Sequence, residues 1–251
     1  MTRDLHTHTL FSDGKATPEE MILAATRKGL DEIGISDHVY TAFDESYCMQ
    51  KNKIQAYLDE IAALKEKYAG DIAVKCGVEY DLYSTASTAP YDYAIGSLHY
   101  LKCGETYYPI DCSKDGFITL AREGFAGDYY ALAERYFSLV SAYADRDDID
   151  IVGHFDLIAK YNEGNNLFDE EHPRYLAAAK GAIDRLLAAG KTFEINTGAI
   201  ARGYRTVPYP APALLDYLRE SGAKFILSSD AHAPENIAFA FADYSDWATI
   251  I

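Results

Sequence analysis

Basic residues are scarce: 23 Lys and Arg face 39 Asp and Glu, leaving the 251-residue chain with a formal charge of −16. That field repels a nucleic-acid backbone or an anionic membrane surface and excludes a generic binder of either. A small anionic substrate stays admissible where bound metal charge overrides the global field. Cysteine is scarce too. Cys48, Cys76, Cys103 and Cys112 show neither C-x-x-C nor zinc-knuckle spacing, and a chain of this length does not need disulfide staples, so free thiols are expected. No apolar run approaches the roughly 18 residues of a membrane-spanning helix. The opening Met-Thr-Arg-Asp-Leu-His lacks the basic, apolar and small-residue regions of a secretory leader. A cytoplasmic location without membrane partners is expected. Linkers, low-complexity tracts and residue-level repeats are missing as well, and the length suits a single domain over residues 1–251.

What is present is an alternation of short β-type and longer helical segments from end to end. Thr17-Pro18-Glu19-Glu20 is a capping box with Pro at the first helical position, opening a helix that runs to Lys28 and stops at Gly29. Helical spacing of apolar residues predicts further helices over 49–68, 129–143, 174–189 and 212–220, and from about Glu235. Strands are predicted over 2–5, 32–36, 72–78, 93–97, 149–153, 191–195 and 223–227. Residues 101–115 read as a hairpin or lid loop. Seven strands mostly separated by helices imply a parallel sheet, and closure into a barrel is its most economical form. The 21 tyrosines, many between Tyr80 and Tyr143, are read mainly as half-buried packing.

Six of the seven histidines lie in motifs that also carry Asp or Glu. His6 and His8 follow the first strand, His38 the second, Glu79 the third, His99 the fourth, His154 the fifth, Glu194 the sixth, and Asp230 and His232 the seventh. In a closed barrel those strand ends converge on one rim, where neutral imidazole and carboxylate together form a ligand set for first-row divalent metals. His-x-His at a strand end points two imidazoles to one side. Asp4 is read as orienting a ligand, and Asp37 as support for a ligating His38. Glu79 leaves the core as a carboxylate whose burial would cost several kcal/mol unless paired or metal-bound, and bridging two cations is its natural role. Taken singly, His99 and His154 are structural histidines and Asp13 an Asp-Gly turn residue. His172 is expected to be a solvated surface residue.

The ordered motifs DLHTHT, FSDG, SDH, GVEY, GSLHY, GHFD, FEINTGA and SSDAH resemble those of the polymerase and histidinol phosphatase (PHP) family, and within it the histidinol-phosphatase branch. The resemblance runs from Asp4 to His232. It implies a distorted seven-stranded βα barrel of TIM-like type holding three divalent cations, zinc, manganese or iron. His6, His8, Glu79 and Asp230 would hold the first, Glu79, His99 and His154 the second, and Asp13, His38 and His232 the third. It further implies hydrolysis of L-histidinol phosphate, a step of histidine biosynthesis, with Glu79, Asp230 and His232 as the catalytic set. Arg202 is expected to contact the phosphate, with Lys160 a second candidate; Arg205 is expected to be an exposed loop arginine. Asp44, Asp81 and the 100–108 loop could surround the amine and imidazole. Alternatives are a phosphoesterase acting on nucleotides or other small esters, a metal-dependent amidohydrolase, and a metal-binding module without turnover.

Overall fold

The structure is a computed structural model that describes residues 2–247. Its main sheet contains β1 (Arg3–Asp4), β2 (Glu32–Ile35), β3 (Ala73–Asp81), β4 (Tyr93–Ser97), β7 (Ile151–Val152), β8 (Thr192–Asn196) and β9 (Lys224–Ser228), neighbours in that order and all parallel. An antiparallel hairpin, β5 (Tyr100–Cys103) and β6 (Thr106–Pro109), stands apart from the main sheet, at the expected lid segment. The helices α1 (Pro18–Arg27), α2 (Ile54–Lys67), α3 (Lys114–Phe125), α4 (Tyr129–Val140), α5 (Pro173–Ala188), α6 (Gly198–Ala201), α7 (Pro212–Glu220) and α8 (Phe241–Tyr244) account for most of the remaining regular structure. At α1 the Thr17 hydroxyl accepts from the Glu20 amide and the Glu20 carboxylate accepts from the Thr17 amide, the reciprocal cap written in the sequence.

The sheet nearly closes, and it does so beyond the ends of its edge strands. β1 is two residues long, so a single parallel bridge, Thr7 to Ala231, joins its extension to that of β9. The Asp4 carboxylate completes the seam by accepting from the Ser229 hydroxyl, the Ser229 amide at 3.1 Å and the Ala238 amide at 3.0 Å. Asp4 therefore ties the barrel shut rather than orienting an imidazole. Among the described residues no long helix follows Glu235, where the chain is held at Ala238 by this bond. Ala238 and Ala240 take left-handed φ of 51° and 55°, leaving only a 3₁₀ turn at Pro234–Asn236 and the single turn of α8.

Alternation along each strand sends one set of side chains inward and the other to the surrounding helices. Inside, Leu5, Ile95, Ile151 and Ile226 form a small core. Tyr93 fills the space that Gly34 and Gly77 leave open: a Cβ on either glycine would fall within 2.2 Å of its ring or hydroxyl. Outside, one core joins the sheet to α3, α4, α5 and α7, and another joins it to α1 and α2. Tyr57, Tyr136, Tyr143, Tyr175 and Tyr209 are fully buried, so much of the tyrosine content is packing. The helix α3 has no counterpart in the sequence reading. Gly116 and Gly124 weaken its propensity, and its start rests on Ser113, whose hydroxyl accepts from the Gly116 amide. Among the described residues no helix is long and apolar enough to cross a membrane.

One surface expectation gains a task and another is corrected. His172 caps α5, its Nδ1 accepting from the Arg174 amide at 3.2 Å while the ring stacks on Tyr130 at 3.8 Å. Arg205 is buried, not exposed. Its guanidinium donates to Glu170 at 2.7 and 3.0 Å and to the Ala159 carbonyl, fastening the loop after α6 to the segment after β7. Replacing Arg205 with Met strands the Glu170 carboxylate in a half-closed site, and a denaturant titration is expected to read a loss of about 3–5 kcal/mol.

Candidate metal centre

The carboxyl ends of the strands bring together all nine residues singled out as ligands. Glu79 stands at the centre. Its Oε2 lies 2.9 Å from His38 Nδ1, 3.2 Å from His6 Nε2 and 3.4 Å from His8 Nε2; its Oε1 lies 2.9 Å from His154 Nε2 and 3.4 Å from His99 Nε2. Asp230 Oδ1 approaches His8 Nε2 at 3.3 Å and His6 Nε2 at 3.8 Å. Asp13 Oδ2 faces His232 Nε2 at 3.3 Å, and its Oδ1 lies 3.7 Å from both His8 and His38. Four overlapping groups have donor atoms mutually close enough to share an ion: His8, Asp13, His38 and His232; His6, Glu79 and His154; His6, His8 and Asp230; and His38, Glu79 and His99. His8 joins the group expected around Asp13, and His38 reaches Glu79, so the sets overlap more than the sequence suggested. Asp13 is not merely a turn residue, though the turn matters. Gly14 follows because a Cβ there would sit 2.4 Å from the His8 backbone.

The donor set fits divalent cations better than it fits itself. His6 Nε2 and both ring nitrogens of His8 are buried without a hydrogen-bond partner, an arrangement with a desolvation penalty of about 1–3 kcal/mol per atom that a coordinated ion would remove. Burial would raise the carboxyl of Glu79; His38, His6 and His99, with the hydrogen bond to His154, hold it well below the usual range. Burial would likewise raise Asp230, but Arg202 and His6 keep it well below its ordinary value. The two imidazoles of the His-x-His pair diverge. Burial depresses His6, yet Glu194, Glu79 and Asp230 lift it well above normal. Burial with His232 and His38 nearby drops His8 to about 3. Without cations the surrounding carboxylates thus favour the protonated form of His6, and by the same cause of His38 and His99, while His8 is favoured neutral.

A second layer fixes the first. Glu194 accepts from His6 Nδ1 at 2.9 Å, from the His154 amide at 2.6 Å and from Asn196 Nδ2 at 2.9 Å. Sequence reasoning places Glu194 at the rim but gives it no task. Its inward parity on β8, next but one to the His-x-His strand once the sheet closes through β9, is the signal that would have found it. Asp81 accepts from the His99 amide at 3.0 Å and lies 3.5 Å from His99 Nδ1, and it does not line the cavity. Asp37 does not touch His38. It accepts from the Thr9 amide and hydroxyl at 2.7 and 2.6 Å and from Ser12, bracing the loop that carries Asp13. Glu194→Gln keeps size but loses the charge that sets the His6 tautomer, so metal affinity by calorimetry is expected to fall about 10- to 100-fold.

A cavity of about 300 Å³ opens above the cluster. Arg202 and Lys160 line it, each already engaged. Arg202 donates to the Asp230 carbonyl and Oδ2, both at 2.8 Å, which steadies Asp230 in a left-handed backbone conformation (φ 50°). Lys160 donates to the Asp111 carbonyl at 2.8 Å and its Oδ2 at 3.1 Å.

Barrel and cluster together define a class: parallel α/β barrels that gather histidine and carboxylate donors at one rim. The PHP domain matches residues 4–198, and the chain belongs to that family. It is 30% identical to the "Probable histidinol-phosphatase" of Deinococcus radiodurans, over 96% of this chain and 90% of that protein. It is 24% identical to the histidinol-phosphatase of Bacillus subtilis, over 95% of this chain and 96% of the relative. The fold superposes on a crystal structure of a candidate histidinol phosphatase from Listeria monocytogenes with a TM-score of 0.85 at 22% identity, covering 97% of this chain and all of the other. The histidinol phosphate phosphatase of Lactococcus lactis, solved with zinc, L-histidinol and phosphate, gives 0.65 at 17% identity, covering 98% and 93%.

Proposed function

We propose that this chain is a metal-dependent phosphatase that converts L-histidinol phosphate to L-histidinol and phosphate in cytoplasmic histidine biosynthesis, working as one domain over residues 1–251. The observation that carries the reading is the position of Glu79, whose two oxygens face different sets of imidazoles at the floor of the cavity. A carboxylate so placed can serve two cations at once. In this assignment His6, His8, Glu79 and Asp230 would hold one ion, Glu79, His99 and His154 a second, and Asp13, His38 and His232 a third, with zinc, manganese or iron as candidates. Bound cations supply Lewis acidity that acidifies water and draws charge from phosphoryl oxygens.

The chain's own groups do the rest. Arg202 and Lys160 bring positive charge to the cavity wall, where an arriving phosphate exchanges with Asp230 and Asp111 as their partner. Of the two groups expected to serve the leaving alkoxide, Asp230 is held as a carboxylate well below its ordinary value, so His232, the more open with its side chain 22% exposed, is the one placed to pass it a proton. The names of the relatives and the ligands of the Lactococcus protein support this substrate and a zinc-type cofactor. The charge of −16 favours a small ester over nucleic acid. Phosphate release by the metal-loaded protein, screened over L-histidinol phosphate, mononucleotides and other small monoesters, tests the proposal. A clear preference in kcat/KM for L-histidinol phosphate is expected; equal, slow rates on all would assign another substrate.

A further inference from the structure

Phosphate chemistry leaves one end of the cavity unused. Asp44, on the loop between β2 and α2, lines that end together with Tyr47 and Tyr100. Its Oδ1 accepts from the Ser46 amide at 2.9 Å and the Ser46 hydroxyl at 2.6 Å, and its Oδ2 accepts from the Tyr100 hydroxyl at 2.6 Å. All these donors are neutral. Asp111, on the same wall, is neutralised by Lys160, whereas Asp44 has no ion pair among the described residues. Aromatic rings frame it. The Tyr47 ring lies 4.9 Å from that of His38 and 5.8 Å from that of Tyr100, and Phe43 packs on Tyr100 and stacks on Tyr107 at 3.9 Å. An oriented carboxylate without a counter-charge, set among ring faces, suits a flat nitrogen base that donates an N–H.

We infer that Asp44, framed by Tyr47 and Tyr100, recognises the imidazole of the leaving alcohol and sets the specificity of the site. The inference rests on the histidinol phosphate reading. In that substrate the ammonium is two bonds from the ester-bearing carbon and stays beside the cluster. The imidazole lies one methylene further out, and Tyr47 spans that interval, with His38 on one side and Tyr100 on the other.

The test compares kcat/KM for L-histidinol phosphate with that for 2-aminoethyl phosphate, which keeps the phosphate and amine but has no ring. In Asp44→Asn the preference for L-histidinol phosphate is expected to fall about 10- to 100-fold, the worth of one charge-assisted hydrogen bond, mostly through KM. Tyr100→Phe, which frees Asp44 Oδ2, should give a smaller fall. L-Histidinol alone, titrated into both proteins by calorimetry, is expected to lose affinity by a similar factor in Asp44→Asn. An unchanged preference, including an equal loss on both esters, overturns the assignment. A wild-type protein with no preference for L-histidinol phosphate removes the substrate reading itself, a result visible before any variant is made.

Discussion

Glu79→Gln is expected to lower kcat by roughly a thousandfold or more while the protein stays folded. The amide matches the carboxylate in size, so the inward position on β3 and the surrounding core are undisturbed. What is lost is the anion whose two oxygens face five imidazoles. Gln presents one oxygen and one NH₂ that cannot ligate, so it cannot serve two cations. Losing Lewis-acid stabilisation of several kcal/mol corresponds to that factor in rate. Near-normal kcat in a variant with a wild-type circular dichroism spectrum would remove Glu79 from the bridging position. Metal content measured on the same sample separates loss of an ion from loss of its alignment.

Stripping divalent cations with a chelator is expected to abolish phosphate release and to lower the melting temperature, and readdition should restore both. At free metal 100-fold above Kd, one ion bound only by the folded state contributes about 2.7 kcal/mol. For a chain of this size that is about 5–10 °C per ion. Acid should mimic the chelator. Imidazoles ligate in their neutral form, and His6 is held protonated well above its ordinary pKa by Glu194, Glu79 and Asp230 despite its burial. Despite their burial, Glu79 raises His38 and His99 in the same way, so cation binding must displace protons from these imidazoles, and affinity is expected to fall about tenfold per pH unit for each proton displaced as pH drops below the raised values. His8, lowered to about 3, adds no such dependence near neutrality. Competition titrations at several pH values would read the slope, and a flat profile would contradict the raised values of His6, His38 and His99.

The physical basis of legibility differs from residue to residue. The Thr17 cap, the parallel order of the strands and the convergence of His6, His8, His38, Glu79, His99, His154, Asp230 and His232 could be read because each depends on local chemistry: capping, period-two alternation and donor type at a strand end. Arg205 and Asp4 could not. Arg205 sits in a polar loop, where exposure is the ordinary outcome, and Asp4 beside the His-x-His pair, where orienting an imidazole is; only the packing of distant segments turns one into a buried anchor for Glu170 and the other into the clasp on Ser229 and Ala238. Glu194 falls between. Its strand position was legible, but its duty to His6 spans 188 residues of chain.

Composition and periodicity were thus enough to specify a parallel barrel, and donor chemistry enough to specify a metal-type rim. Which carboxylates face cations and which brace histidines was decided by the folded chain. A strand fixes only which way a side chain points; its partner across the barrel depends on register, twist and where the seam closes, quantities that no short window of residues contains.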